Sequence, residues 1–221
     1  MNIKPLIFAG FFVVAAAQFL SARDTTTTRQ FDTIPNSPSD ICPLLVGESI
    51  PAVTLKTPDG QDVDLKAAIS QKPTLLIFYR GGWCPYCNLH LAELQQIEPD
   101  LLALGYQIIA ISVDRFENLA PTLEKQQLSY TLLADAQATA TRAFGLAYTV
   151  SDADVQRLKG FGMDIEDASG QTHHILPVPA AFIIGTDGFI KFSYVNPDYK
   201  TRVNGAVILA AAKAEVETNE K

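Results

Sequence analysis

The stretch "TLLIFYRGGWCPYCNLHLAEL" (Thr74–Leu94) decides the fold. Its first six residues, Thr74–Tyr79, form a continuous apolar run, the pattern of a strand buried on both faces. From Pro85 onward the apolar residues Leu91, Leu94, Ile97, Leu101 and Leu104 recur at helical spacing, and Gly105 marks the stop. Pro99 falls inside this run and is expected to bend or break the helix. Two thiols, Cys84 and Cys87, therefore stand where a strand hands over to a helix. A thiol attacks only as its thiolate, and an ordinary cysteine, with a pKa of about 8.5, is mostly protonated at neutral pH. A helix N-terminus lowers that value through unpaired N–H groups and the helix dipole. Pro85 suits the first helical position, which puts Cys84 at the N-cap and Cys87 in the first turn. The two sulfurs can then approach one another, and a local disulfide is sterically reasonable. Arg80, curling back, would add positive charge. Three chemistries fit such a pair: metal binding, disulfide exchange and peroxide reduction.

The rest of the chain supplies a frame. "AVTL" (Ala52–Leu55) and "QDVDL" flank the turn signal "KTPDG" as a short hairpin. "YQIIAISVD" (Tyr106–Asp114) is a second buried strand, and "ENLAPTLEKQQL" a helix with Pro121 near its first turn. "YTLLAD" reads as a short strand and "AQATATRAFGL" as a helix ending near Gly145. Tyr148–Leu176 has weak periodicity and reads as an insertion with one short helix around "DADVQRLKGF". "PAAFIIGTDGFIKFSYV" is the strongest hairpin signal, with strands Ala181–Gly185 and Phe189–Val195, and "GAVILAAAKAEVE" closes as a helix. Alternating strands and helices followed by an antiparallel hairpin imply an α/β fold, a mixed central sheet with helices on both faces.

Composition bounds the function. The chain has 221 residues, a net charge of −7 and 48% hydrophobic residues, an ordinary globular balance. Acidity without a basic cluster argues against a nucleic-acid partner. Three cysteines are too few for a disulfide scaffold, so the paired ones are expected to carry chemistry. Residues 1–22 have a positively charged start and an apolar run, and read as a signal peptide or as an uncleaved anchor and membrane tether through residues 5–22. Either implies an exported domain, periplasmic in a bacterium with an outer membrane. Residues 23–40, rich in Thr, Ser, Pro and Asp, read as a flexible tether. One domain, 41–217, and a short tail, 218–221, remain.

"WCPYC" after a buried strand resembles the active site of the thioredoxin superfamily, and "LPVPAAFIIGTDGFI" (Leu176–Ile190) resembles its second hallmark, a proline before a later core strand. The resemblance implies that Pro179 is cis and faces the thiols. "FYRGGWCPYCNLHLAELQ", "GYQIIAISVD", "AFGLAY", "HHILPVPAAFIIGTDG" and "FSYVNPDYKTR" together resemble the peroxiredoxin-like branch, the alkyl hydroperoxide reductase C/thiol-specific antioxidant family, over residues 45–213. That family carries P-x-x-x-[TS]-x-x-C after the first core strand. In its register Arg80 replaces the proline, Cys84 replaces the Thr or Ser, and Cys87 lands on the peroxide-reacting cysteine. Pro179 stands where the family has one arginine, and Arg202 matches a second, following Val195-Asn196. Family spacing therefore nominates Cys87 as the attacking thiol, whereas thioredoxin-type geometry at a helix start nominates Cys84, the reading preferred here.

The resemblance implies a thiol-dependent peroxidase with a peroxide substrate, a thioredoxin-like dithiol reductant and no cofactor. Cys84, Cys87 and Arg202 are its catalytic candidates; Trp83, Pro179 and Arg80 are its substrate-binding candidates. The alternative is a thiol–disulfide oxidoreductase acting on exported proteins. A third reading, a non-catalytic metal module, would use Cys84, Cys87, His173 and His174 around zinc, although adjacent histidines on an extended segment point apart. His90 reads as a helix-surface residue, and Cys42 as a structural or spare thiol.

Overall fold

The computed structural model describes residues 33–219, so the expected leader at 1–22 and the tail beyond Asn219 lie outside the described residues. Nine strands and seven α-helices follow in the order β1 (Thr54–Lys56), β2 (Asp62–Asp64), α1 (Leu65–Gln71), β3 (Thr74–Phe78), α2 (Pro85–Ala103), β4 (Gln107–Ser112), α3 (Leu119–Gln126), β5 (Thr131–Ala134), α4 (Thr139–Ala143), β6 (Ala147–Thr149), α5 (Asp152–Gly160), α6 (Ile165–Ser169), β7 (Ile175–Pro177), β8 (Ala180–Ile184), β9 (Ile190–Val195) and α7 (Gly205–Asn219). Seven of the strands form one sheet in the order β2-β1-β5-β4-β3-β8-β9. β3, β4 and β5 run parallel, and β8 lies antiparallel to β3. A parallel neighbour requires a crossover, and α2 supplies it between β3 and β4.

Alternation along β3 divides the core. Leu75, Ile77 and Tyr79 point into one apolar cluster with Leu91, Leu94 and Leu101 of α2 and Ile208 and Ala212 of α7. Leu76 and Phe78 point into the other, with Ile69 of α1, Ala140 of α4 and Phe144. Both faces of the sheet are thus covered, as the unbroken apolar run of β3 requires. A third cluster joins Val155 of α5 and Ile165 of α6 to β6 and β7, which pair as a separate two-stranded sheet.

Four local features differ from expectation. Helix α2 continues through Pro99. The proline ring is exposed, its missing N–H removes a single bond, and buried Leu101 holds the last turn against the core. The α4 helix covers only five residues, because Asp135 caps its start through the Ala140 and Thr141 N–H groups. The Tyr148–Leu176 insertion holds two helices and two strands, α5 being capped by Ser151 and α6 by Asp164. The end of the expected tether is not loose: Thr149 N–H donates to Pro35 O at 2.8 Å, Ile34 packs against the third cluster, and a 3-10 turn covers Pro38–Asp40.

Topology gathers the functional segments at one edge. Phe78, the last residue of β3, pairs with Ile111 near the end of β4 and with Ala180 at the start of β8. Ala180 pairs in turn with Val195, the last residue of β9. Residues 79–84, 112–114, 179 and 196–202 therefore leave the sheet on the same side, beyond the carboxyl ends of the parallel strands, where α/β sheets bind ligands.

The Phe78, Phe144 and Phe182 rings interlock with centroids 4.8 to 6.3 Å apart. Phe144→Ala leaves a cavity between the sheet and α1, and is expected to cost about 3–5 kcal/mol in urea unfolding with an unchanged m value.

Candidate active site

Between β3 and α2 the chain passes through Tyr79-Arg80-Gly81-Gly82-Trp83 and then Cys84, the N-cap of α2, with Pro85 in the first turn. Gly81 has φ +155°, and a Cβ there would collide with the Trp83 indole nitrogen and stand 2.7 Å from Asp114 Oδ1. Only glycine lets the loop lie this close to its neighbours. Cys84 N–H donates to Gly81 O at 3.1 Å, and the Asn88 side-chain amide donates to Gly82 O at 2.9 Å. Gly82 N–H donates to Asp114 Oδ2 at 2.7 Å. These bonds fix the loop on the helix start.

Both sulfurs are buried: Cys84 is 1% exposed and Cys87 0%. No disulfide joins them, and they hydrogen-bond to each other. The Cys84 thiol is pulled down to about 6, first by the hydrogen bond from Cys87, against burial, and then by the Arg80 and Arg202 charges. Burial pushes the Cys87 thiol up, and its hydrogen bond to Cys84 acts in the same sense. One negative charge is therefore held by the pair, on Cys84, with the Cys87 proton facing it. Arg202 Nη2 points at Cys87 Sγ from 3.5 Å, which favours charge there too, but desolvation of Cys87 outweighs it.

Two guanidinium groups flank the dithiol. Arg80 is 5% exposed and lies 4.2 Å from the Tyr199 ring centroid and 5.0 Å from that of Trp83, a stacked arrangement that holds the cation beside Cys84. Arg202 is fixed by donating Nη1 to the carbonyls of Tyr199 and Thr201. Tyr199 itself meets Tyr86 edge-on at 5.7 Å. Trp83 is half-buried at the rim.

Cys84, Cys87, Arg80, Trp83 and Arg202 come together. Pro179 is buried at the same edge, where its carbonyl accepts from Asn196 N–H at 3.5 Å. No described peptide bond is cis, so Pro179 is trans, in a chain running straight from β7 into β8. His90 is a correction: one turn after Cys87 it is 6% exposed, and burial and the Arg202 charge hold its imidazole down to about 4, so it stays neutral. The metal module loses its histidines. His173 Nε2 faces Ala136 O at 2.9 Å and its Nδ1 accepts from Ile175 N–H, while His174 pairs with Glu166 and Asp152. Among the described residues no group of three or more His, Cys, Asp or Glu could hold a metal ion. Cys42 is exposed. Sequence reasoning did not single out Tyr199, although it stands three residues before Arg202, nor Asp114, the last residue of "AISVD".

A dithiol at a helix start, at the carboxyl edge of a mixed sheet, defines a thiol redox protein of thioredoxin-like fold. Comparison with known proteins narrows the class. Residues 46–193 match the AhpC/TSA family, and the chain belongs to that family. It is similar to Peroxiredoxin Bcp of Escherichia coli K12, 29% identical over 167 residues that cover 76% of this chain and 94% of the relative. Among solved structures it superposes on a cysteine mutant of Peroxiredoxin 6 of Arenicola marina, with TM-score 0.66 and 20% identity over 80% of this chain and 76% of that one. It also superposes on reduced Prx3 of Vibrio vulnificus in complex with H2O2, with TM-score 0.63 and 23% identity over 76% and 99%. These likenesses establish the thioredoxin-like fold.

The causes acting on Cys84 predict an order of effects. Cys87→Ala raises its titration midpoint most, Arg80→Met less, and Arg202→Met least, as read from the pH dependence of iodoacetamide alkylation. A rise of one pH unit corresponds to about 1.4 kcal/mol and, well below the midpoint, about tenfold slower alkylation.

Proposed function

We propose that this chain is a thiol-dependent peroxidase that cycles between a Cys84/Cys87 dithiol and a disulfide. The observation that carries the reading is the buried Cys84/Cys87 pair flanked by the Arg80 and Arg202 guanidinium groups, in an AhpC/TSA chain. The Cys84 thiolate attacks one peroxide oxygen. The S–O bond forms, the O–O bond breaks, and the leaving oxygen takes a proton to depart as water or an alcohol. Cys87 sulfur then attacks the sulfenic sulfur, closing the disulfide and releasing water. An external dithiol of the thioredoxin type restores both thiols. Arg202 lies where it can lower the cost of charge on Cys87 during that second step, and Arg80 and Trp83 wall the approach to Cys84. His90, neutral beside Arg202, adds no competing charge.

A second reading has its own support: the residue facing Cys87 is a thiol, Cys84, so the site could pass its disulfide to another protein as a thiol–disulfide oxidoreductase. We also propose an exported location from residues 1–22; cell fractionation finding the protein in the cytoplasm would contradict it.

Stopped-flow mixing with hydrogen peroxide or an organic hydroperoxide tests the main reading. Thiol oxidation is expected to exceed that of free cysteine by at least about a hundredfold. Cys84→Ser abolishes the reaction. Cys87→Ser halts it at a sulfenic acid that dimedone traps. Oxidation no faster than free cysteine, alongside brisk insulin reduction, would move the assignment to the second reading. Full reactivity in Cys84→Ser with loss in Cys87→Ser would reverse the two sulfurs.

A further inference from the structure

The disulfide-closing step requires the buried Cys87 to lose a proton, and no protein group described so far carries it away from the sulfur. Asp114, just beyond β4, is a candidate. It is 1% exposed. Its Oδ2 accepts from Gly82 N–H at 2.7 Å and from the Ser112 hydroxyl at 3.0 Å, whereas its buried Oδ1 makes no full hydrogen bond and faces the Trp83 indole N–H. On the outer side lies a cavity of about 300 Å³ lined by Trp83, Asp114, Thr122, Gly162, Asp164 and Asp167. Gly162 and Asp167 are exposed, so water reaches it. On the inner side is the Tyr79 hydroxyl, equally buried and making no full hydrogen bond, which faces Ser112 and lies in the field of both Asp114 and Cys87. An unpaired buried polar atom costs about 1–3 kcal/mol, so the Tyr79 hydroxyl, set among Ser112, Asp114 and Cys87, calls for a function.

We propose that Tyr79, Ser112 and Asp114 form the proton exit of the dithiol, with Asp114 as the proton acceptor when Cys87 closes the disulfide. The inference rests on the peroxidase reading for its oxidant. In the step, the Cys87 S–H bond breaks and its proton passes by way of the Tyr79 and Ser112 hydroxyls to the Asp114 carboxylate. The sulfur's electron pair forms the S–S bond to Cys84. The sulfenic S–O bond breaks, and the hydroxide takes a proton from solvent to leave as water. Asp114 then releases its proton to the cavity. When an external dithiol opens the disulfide, Cys87 leaves as a thiolate and recovers a proton along the same route. Asp114 does not touch sulfur and acts through the hydroxyl groups.

The electrostatics suit the role. Burial pushes the Asp114 carboxyl up to about 6, the Gly82, Ser112 and Trp83 hydrogen bonds oppose this, and Cys84 adds to the rise. The other groups facing it are Tyr79 from the end of β3 and, across the cavity, Asp164 and Asp167 of the α6 region. Lys159 pairs with Asp164 at 2.8 Å and Arg115 with Asp167 at 3.2 Å. Above pH 6 the carboxylate accepts a proton; as pH falls through about 6 it is protonated and the exit closes.

The test uses single-turnover oxidation with one equivalent of hydrogen peroxide, followed by fluorescence of Trp83, the chain's single tryptophan. The first, peroxide-dependent phase reports sulfenic acid formation; the second, peroxide-independent phase reports disulfide closure. In the wild type the second phase slows as pH falls through about 6. Asp114→Asn, which still accepts the Gly82 N–H, is expected to slow the second phase on the order of tenfold more than the first and to lose the pH limb. Ser112→Ala and Tyr79→Phe, which remove no charge, slow the second phase while keeping the limb. A folded Asp114→Asn protein with the wild-type second phase and pH profile would overturn the proposal. Should that variant not fold, wild-type closure rates in both Ser112→Ala and Tyr79→Phe would overturn it equally. A wild type that forms no sulfenic acid fails the peroxidase reading alone. The exit is then read with oxidised glutathione, where Cys87 resolves the mixed disulfide on Cys84 and the same variant order is expected.

Discussion

The structure depends on one proton shared between two sulfurs. Cys84 sits at a helix start with no side chain capping the turn, and Cys87, one turn inside, donates to it. Burying two thiolates together would add like-charge repulsion to two desolvation costs. One thiolate solvated by one thiol avoids the repulsion and one of the two desolvation costs. Burial thereby separates the roles: the outer sulfur is the anion, and the inner sulfur keeps its proton until an oxidised neighbour calls for it.

That separation needs charge at fixed places, and the sheet provides it. Parallel β3 and β4 bring the Cys84 loop and Asp114 to one edge, while antiparallel β8 and β9 return the Tyr199–Arg202 segment to the same edge. Each guanidinium is then held by its own device. Arg80 is stacked between Trp83 and Tyr199, whereas Arg202 is tied to backbone carbonyls. Where the family pattern has a proline and a hydroxyl residue, this chain has Arg80 and Cys84. The two departures belong together, because a second thiol in the anionic position gains from a cation beside it.

Much of this was legible in the chain. The apolar run Thr74–Tyr79, Pro85 as a helix opener and the spacing of Leu91, Leu94 and Leu101 place the dithiol without tertiary information. The Thr186-Asp187-Gly188 turn likewise gives the β8–β9 hairpin. What escaped depends on contacts between distant segments. His90 shares a helix face with Cys87 and Leu94, yet its burial follows from the Arg202–Val203 segment laid beside it. Asp114 reads as an ordinary turn residue until β4 is set next to β3. The continuation of α2 through Pro99 and the docking of Ile34–Pro35 are both decided by packing rather than local preference. Pro179 shows the reverse error, in which a familiar local pattern implied a cis bond absent from the fold.

The most direct measurement is thiolate absorbance at 240 nm of the reduced protein across the pH range. A single ionisation near pH 6, with the second sulfur still protonated beyond the range of a free thiol, is the result this account predicts. Two sulfurs ionising together near the ordinary value of about 8.5 would contradict it.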